Sequence, residues 1–382
     1  MSQNIDKSAV PQAESIQGAH PSGLRKKALW TIAFIAIAVL TVWAITSQNK
    51  NFSFSSFWAF LSELNPIWIT AAVLTMFAYV LFEGLAIRTL CHSIGYRTTV
   101  RQSWGYSSAD IYFSALTPSA TGGQPASAFF MMKDGIPGSS TTAILLINLI
   151  MYTLSIFVLG VAFLLITPGL LGYFSAASRA FIFVGFGVLL LITSIFFFLL
   201  KKASVIRWMG TKFISFLAKI KIVRRKEAKL KRMNSAIDSY EHAVSELGEH
   251  RGPLFKCFLY NLLQRSSLIF VSLFTYMAAG GDAAHLLEFF GAECLVIIGY
   301  NFIPIPGGMG IADALLLDVF ARFLGDSQFA ANLELLSRSI SFYLCVLLCG
   351  IIFLSRCIRA AKKNPSRRAP AKPATSATSD GE

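Results

Sequence analysis

Two short segments rich in glycine and proline, at 117–125 and 304–310, contain the residues best suited to bind a charged group. Each contains a pair of adjacent glycines, namely Gly122 and Gly123 in the first and Gly307 and Gly308 in the second. Glycine lets an anion approach the backbone closely, and a helix that begins beside the pair presents free N–H groups and the positive end of its dipole. Each pair therefore predicts an anion site; the alternative is that the glycines only permit close helix packing or a tight turn.

A second set of candidates consists of ionisable residues inside apolar stretches. These residues are Glu83, Arg88, Asp110, Arg265, Glu288, Glu293, Asp313, Asp318 and Arg338. An arginine offers a planar fork to a phosphate, and a carboxylate either pairs with the arginine or receives a cationic headgroup. The alternative is internal charge pairing, or snorkelling of side chains near the ends of their apolar stretches, as for Arg88, Asp318 and Arg338.

From both sets we select candidates for substrate binding. They are Glu83, Arg88, Asp110, Gly122, Gly123, Gln124, Arg265, Glu293, Gly307, Gly308, Asp313 and Arg338. Asn148 and Asn301 are further polar candidates of lower weight.

Known catalytic and cofactor motifs are absent from the sequence. The histidines are scattered, and there is no His-Glu-x-x-His motif, Gly-x-Ser-x-Gly elbow, Walker loop or dinucleotide-binding Gly-x-Gly-x-x-Gly after a strand. We therefore expect no catalytic residue, metal site or cofactor. Transport without a nucleotide site would be passive or would draw on a gradient.

The composition places the chain among membrane proteins. Hydrophobic residues make up 54% of the sequence and charged residues only 14%. Uninterrupted apolar runs are mostly long enough to cross roughly 30 Å of hydrocarbon as helices. Six such runs lie at 29–45, 67–90, 143–166, 180–200, 255–279 and 339–354. The first run follows a polar arm and lacks a cleavage site, so we expect a retained helix.

Positive charge is concentrated in three patches. The formal net charge is +14, and the patches lie at 25–27, 201–256 and 356–368. Six crossings place all three patches on one side, which the positive-inside rule makes cytoplasmic. We therefore expect a multi-pass protein of a bacterial cytoplasmic membrane with both termini in the cytoplasm.

Two further apolar regions, 104–132 and 286–324, are interrupted by the glycine- and proline-rich segments. Each half is too short to span a bilayer, so we interpret both regions as re-entrant helical hairpins, whose irregular backbone must be buried in protein or line a wet cavity. With their flanking helices they form inverted repeats at about 67–166 and 256–358. The predicted fold class is therefore all-α integral membrane, with about six full transmembrane helices plus two re-entrant hairpins that meet at a midplane pocket.

The remaining segments are polar or amphipathic. Residues 1–24 and 359–382 are predicted to be disordered. The segment 201–255 is predicted to contain amphipathic helices at 205–220 and at about 234–248 that lie at the cytoplasmic surface. Its lysines favour anionic lipid over nucleic acid as a partner. The cysteines form no Cys-x-x-Cys motif and are expected to be free thiols.

Several motifs together resemble the lysylphosphatidylglycerol synthase transmembrane, or flippase-like, family. The resemblance covers about residues 25–358. It is carried by Glu83-Gly84-x-x-x-Arg88, the segments 117–125 and 133–136, Pro304-x-Pro306-Gly307-Gly308-x-Gly310-x-x-Asp313, and Arg338. In bifunctional members of this family, the membrane part is thought to move aminoacylated phosphatidylglycerol to the outer leaflet, and a separate cytosolic domain makes that lipid. The chain ends soon after its last predicted helix, so we expect no synthase domain in it.

The resemblance implies a lipid flippase or related transporter. Its substrate would be aminoacyl-phosphatidylglycerol or another anionic or lipid-linked molecule, and its partners would be membrane phospholipid, a lipid synthase or transferase, and a second copy of the chain. Two alternatives stay open. One is a membrane enzyme of the phosphatidylglycerol lysyltransferase type, and the other is a non-catalytic membrane partner of a lipid synthase.

Overall fold

The chain is described by a computed structural model over residues 54–117, 120–219, 226–303, 310–325 and 327–362. Within these ranges it folds almost entirely into helices and contains no strand. The α-helices are α1 (Phe54–Glu63), α2 (Pro66–Ser93), α3 (Val100–Leu116), α4 (Gly123–Lys133), α5 (Gly138–Ile166), α6 (Ala176–Lys201), α7 (Ala203–Lys219), α8 (Lys226–Glu249), α9 (Arg251–Ala278), α10 (Leu286–Tyr300), α11 (Ile311–Leu324), α12 (Ser327–Arg338) and α13 (Cys345–Lys362). A π-helix, Ser339–Leu344, joins α12 to α13. The predicted all-α class is confirmed.

Among the described residues, six helical stretches are long and apolar enough to cross a membrane. They are Pro66–Ser93, Gly138–Ile166, Ala176–Lys201, Arg251–Ala278, Ala283–Tyr300 and Phe329–Arg359. Five of these stretches coincide with apolar runs identified in the sequence, and the remaining run, 29–45, lies outside the described residues. The protein is therefore a multi-pass membrane protein.

The stretch Ala283–Tyr300 differs from the expectation that each half of 286–324 is too short to cross. A 3-10 turn at Ala283–His285 runs directly into α10 and extends the helical stretch to 18 residues. At 1.5 Å per residue such a helix is about 27 Å long, which is near the lower limit for a span. This half is therefore long enough to cross. The re-entrant paths and the inverted repeats stay predictions.

Side-chain caps determine where the helices that reach the site begin. Asn65 Oδ1 accepts a hydrogen bond of 3.0 Å from the Ile67 N–H, and Pro66 occupies the first position of α2. Thr99 and Gln102 form a reciprocal capping box at the start of α3. These caps fix where the two helices that carry Glu83 and Asp110 begin.

The break between α3 and α4 lies where the sequence predicts it. The two helices pack against each other, and α4 begins at Gly123. A Cβ on Gly123 would lie 2.7 Å from the backbone oxygen of Asp110 and closer still to the side chains of Asp110 and Ser114. Gly123 therefore allows the start of α4 to approach α3, which is the packing role considered for the glycine pairs.

Two apolar clusters form the core. One includes Met76, Phe289 and Phe320 and joins α2, α9, α10 and α11, and the other includes Leu90 and Ile144 near the predicted cytoplasmic end. Helices α2 and α9 pack extensively against each other and contribute to both clusters. The site lies between helices that these clusters hold in place.

The connector between the fourth and fifth predicted crossings consists of α7 and α8. Helix α8 begins at Lys226, earlier than the predicted start near 234, because the intervening residues are mostly good helix formers. It buries one face against the second apolar cluster through Ile237, Tyr240, Ala243 and Leu247. Helix α7 leaves large apolar side chains exposed, namely Trp208, Met209, Phe213 and Phe216. Both predicted helices are confirmed, and their placement against lipid is still a prediction.

Candidate functional site

A cavity of about 620 Å³ is lined by residues of α2, α3, α4, α5, α6, α9, α10 and α11 and of the segment 337–346. Tyr79, Tyr152 and Arg265, which line it, are at the central positions of α2, α5 and α9. The cavity is therefore level with the middle of three candidate spans. Its lining includes charged and amide side chains, and α6 contributes an apolar wall.

Arg265 is a buried cation at the middle of α9. It exposes only 4% of its surface, and its Nη2 donates a hydrogen bond of 3.4 Å to the Tyr79 hydroxyl. The guanidinium lies 3.9 Å from the ring centroid of Tyr152, so a cation–π contact stabilises the charge. Its Nε has no hydrogen-bond partner, and no carboxylate oxygen of the described residues lies within 4.0 Å of its nitrogens. The guanidinium therefore retains donor capacity for a ligand.

Three buried carboxylates line the same cavity. Gln264 Nε2 donates to Glu83 at 3.0 Å, and Gln124 Nε2 donates to Asp110 at 2.7 Å. The hydrogen bond from Gln124 to Asp110 connects α4 to α3, on either side of the break between these helices. Glu293 Oε1 is buried and has no hydrogen-bond partner among the described residues. The site thus contains a carboxyl oxygen that can form a further hydrogen bond.

Arg338 also faces the cavity, but two carboxylates hold it. Its Nε donates to Asp313 Oδ1 at 2.7 Å and lies 3.5 Å from Glu334 Oε1. Asp313 also accepts a hydrogen bond of 2.7 Å from the Gly310 N–H at the start of α11. Asp313 therefore joins the helix start to Arg338 and is a structural partner of that arginine.

The buried charges of the site do not balance. Five carboxylates, those of Glu83, Asp110, Glu293, Asp313 and Glu334, face the two guanidinium groups of Arg265 and Arg338. If all seven groups are ionised, the formal excess is three negative charges. Uncompensated charge at membrane depth is unfavourable, so this excess requires a proton, a cationic group or water.

Half of the residues predicted for substrate binding lie at the cavity surface. They are Glu83, Asp110, Gln124, Arg265, Glu293 and Arg338. Residues far apart in the sequence therefore converge on one space, as a binding site requires.

The other predicted residues lie elsewhere. Gly122 and Gly123 are at the start of α4, directly before Gln124, and are not part of the lining. Asp313 lies behind Arg338. Arg88 is near the end of α2, where its Nε donates to the Thr98 backbone carbonyl at 3.0 Å. The second glycine pair lies outside the described residues and consists of Gly307 and Gly308.

Several lining residues were not predicted. Tyr79, Tyr152, Tyr300 and Gln264 add hydroxyl and amide groups to the cavity. Tyr79 and Glu83 are four residues apart on α2 and share a face, which is a signal that the sequence contains. Glu334, which lies four residues before Arg338, was missed because it falls between the second interrupted region and the last predicted crossing.

Comparison with known proteins gives two findings. Residues 30–349 match the family described as the lysylphosphatidylglycerol synthase TM region. A UPF0104 membrane protein of Archaeoglobus fulgidus is 22% identical over 296 residues, which cover 75% of this chain and 87% of that protein. The family match spans most of the chain, and the distant relative is consistent with it. The chain therefore belongs to the lysylphosphatidylglycerol synthase transmembrane region family.

Proposed function

We propose that this protein moves a phospholipid between the two leaflets of a membrane and that the lipid headgroup passes through the cavity at Arg265. Membership of the family supports a membrane lipid-related role. The transport proposal depends on one observation in particular. The guanidinium of Arg265, at the middle of a candidate span, faces a cavity and lacks a carboxylate partner among the described residues.

The chemistry of Arg265 suits a phosphate. A guanidinium offers parallel N–H donors that match phosphate oxygens, and its bonds to an anion are charge-assisted. The hydroxyl of Tyr79 accepts a hydrogen bond from Arg265 and is a further donor to a phosphodiester, whereas the hydroxyl of Tyr152 donates to Asn301 Oδ1. A phosphate bound here would pair directly with the Arg265 guanidinium.

The apolar side chains of α6 suit the acyl chains of a lipid. Leu189, Ile192 and Phe196 face the cavity, while Leu191 and Phe197 on the same helix are 60% and 50% exposed. At membrane depth such exposed apolar side chains contact lipid, so α6 forms a wall one helix thick between the cavity and the bilayer. Movement of α6 would let the tails stay in lipid while the headgroup occupies the polar side of the cavity.

A polar path of this kind lowers the barrier that prevents spontaneous lipid crossing. A charged headgroup crosses hydrocarbon only at a large desolvation cost, which pairing and hydration inside the protein reduce. The inverted repeats predicted from the sequence would let the cavity face each leaflet in turn.

The experiment is a leaflet assay in liposomes that contain purified protein and phosphatidylglycerol with a fluorescent acyl chain. Dithionite quenches only fluorophores in the outer leaflet, so faster loss of the protected half reports transbilayer movement. We expect Arg265→Gln to slow this movement by about ten- to hundredfold, since a charge-assisted hydrogen bond contributes about 1.5–3 kcal/mol. Arg265→Lys should recover part of the rate because it keeps the charge and loses the fork.

Arg207→Gln is the matched control. Arg207 pairs with Asp238 and Glu241 on the exposed connector, away from the cavity. Its replacement should leave the rate unchanged. Wild-type protein that accelerates no phospholipid tested, whether phosphatidylglycerol or its lysyl ester, would overturn the transport proposal. A new lipid species in extracts of cells that express the chain alone would favour the enzyme alternative instead.

A further inference from the structure

We propose that the side of α7 that α8 leaves uncovered is a docking surface for anionic lipid headgroups, separate from the cavity. The sequence predicts that both helices of the connector lie at a membrane surface. The structure distinguishes the two helices, because α8 buries its apolar face in protein, whereas α7 leaves large apolar side chains exposed. Only α7 therefore needs a further partner for its apolar face.

The uncovered side of α7 is apolar. Four large side chains lie on this side of the helix, and each exposes more than half of its surface. They are Trp208, Met209, Phe213 and Phe216. The described residues of α8 include no exposed large apolar side chain. A group of exposed apolar side chains on one helix marks contact with a partner or a membrane.

The opposite side of α7 is held against the protein near the ends of candidate spans. Ala203, the first residue of α7, belongs to the second apolar cluster, which also contains Leu90 near the end of α2 and Ile144 near the start of α5. Arg207 donates a hydrogen bond of 2.7 Å to Asp238 of α8. The preceding span, α6, has 26 residues and is therefore about 39 Å long, which exceeds roughly 30 Å of hydrocarbon. Helix α7 therefore begins where a candidate span leaves the hydrocarbon.

Positive charge accompanies the apolar side chains. Helix α7 contains Arg207, Lys212 and Lys219 and no acidic residue. Arg207 is bound by α8, whereas Lys212 and Lys219 are exposed. The ammonium of Lys212 lies 4.1 Å from the ring centroid of Trp208, so this charge lies directly beside the apolar surface. Tryptophan next to lysine suits a membrane interface, where the lysine stem lies along apolar groups and the ammonium reaches lipid phosphates.

These features favour a lipid surface over a second copy of the chain. The centre of a protein interface is depleted in lysine, because an ammonium buried without a partner is unfavourable. At a bilayer surface the apolar side chains enter the acyl boundary while the ammonium groups stay among the headgroups. The surface also continues that of α6, whose Phe197 and Phe198 are half exposed close to its end. Anionic headgroups add an attraction to the lysines that zwitterionic headgroups lack.

The measurement is the quenching of Trp208 fluorescence by brominated lipid in liposomes that contain the full chain. Two sets of liposomes contain equal amounts of phosphatidylglycerol and phosphatidylcholine, and only one of the two lipids is brominated in each set. Subtracting the emission of the Trp208→Phe variant isolates Trp208 among the six tryptophans. We expect both lipids to quench Trp208 and phosphatidylglycerol to quench it about twofold more strongly. High salt should remove the difference, because it screens the charges.

Two double variants test the lysines. Lys212→Gln together with Lys219→Gln removes the charge beside the apolar surface, so both lipids should still quench Trp208 but to the same extent. Lys229→Gln together with Lys231→Gln removes the same charge from α8 and should leave the preference for phosphatidylglycerol unchanged. All four lysines are exposed, so the fold should tolerate both changes.

Each contrary result would overturn the proposal. Absence of quenching by either lipid would show that protein, such as a second copy of the chain, covers this side of α7. Equal quenching by both lipids in the wild-type chain would exclude recognition of anionic headgroups. A preference that persists in the Lys212 and Lys219 double variant would exclude these lysines as its source. None of these results depends on lipid movement, so the proposed function is tested separately.

Discussion

Arg265 and Arg338 are the same residue type in the same cavity, but their surroundings give them different roles. Arg338 donates to Asp313 and lies within ion-pair distance of Glu334, so its charge is compensated by the protein. Arg265 contacts the ring of Tyr152 and the hydroxyl of Tyr79 and has no carboxylate partner among the described residues. At the residue scale, one arginine therefore stabilises the fold and the other is available to a ligand.

The two carboxylates on Arg338 should contribute unequally to stability. Asp313→Asn weakens the short bond to Arg338 and the bond from the Gly310 N–H. We expect it to destabilise the protein at the lower end of the roughly 3–5 kcal/mol typical of breaking a buried ion pair, because Glu334 remains. Glu334→Gln leaves the Asp313 pair intact and removes excess negative charge, so it should be neutral or stabilising.

Thermal unfolding in detergent checks this pair of variants. A markedly lower midpoint for Asp313→Asn than for Glu334→Gln is the expected result. An equal fall in the unfolding midpoint for both variants, or a larger fall for Glu334→Gln, would contradict the assignment of Asp313 as the main partner of Arg338.

At the element scale, the close approach of α3 and α4 holds one wall of the cavity. Gly123 permits the approach, and the bond from Gln124 to Asp110 fixes it. The sequence predicts the break itself, because glycine and proline interrupt an apolar run. It does not decide between anion binding and packing for the glycine, because the contact partner of Gly123 is known only once α3 and α4 are placed together.

Gly123→Ala should separate α3 from α4. The added methyl group would meet the backbone oxygen of Asp110 at 2.7 Å, and overpacking of this kind costs about 1–3 kcal/mol. We expect lower thermal stability together with slower lipid movement in the liposome assay, because Asp110 and Gln124 lose their relative position.

The control for this change is Gly187→Ala on α6. No atom lies within 4 Å of a Cβ at that position, so the substitution should raise helix propensity without a clash. Its stability and transport should match or slightly exceed those of the wild-type chain. A Gly123→Ala variant that performs as well as Gly187→Ala would show that the close approach is not needed.

At the scale of the whole molecule, the length of the apolar runs was sufficient to predict most of the candidate spans. Five predicted runs became helices of the structure because each satisfies its backbone internally, whatever its neighbours are. The stretch Ala283–Tyr300 was underestimated because its 3-10 turn follows Asp282 and ends at His285, so the apolar run in the sequence begins only at Leu286.

The candidate site was predictable only in part. Ionisable residues in apolar runs are unusual enough to single out Glu83, Asp110, Arg265 and Glu293, and all of these reach the cavity. The tyrosines were not predicted, because aromatic residues are common in spans and their relevance depends on contact with Arg265 across 186 positions of sequence. The sequence also did not show which arginine has its charge balanced by a carboxylate, because Asp313 lies 25 positions from Arg338.

The most direct test of the central claim is a structure of the full chain in a lipid nanodisc that contains phosphatidylglycerol. We predict a lipid whose phosphate lies within about 3 Å of the Arg265 guanidinium and whose acyl chains extend past α6 toward the bilayer. Lipids found only around the outside of the helices, with the guanidinium of Arg265 bound to a carboxylate of the protein, would contradict it.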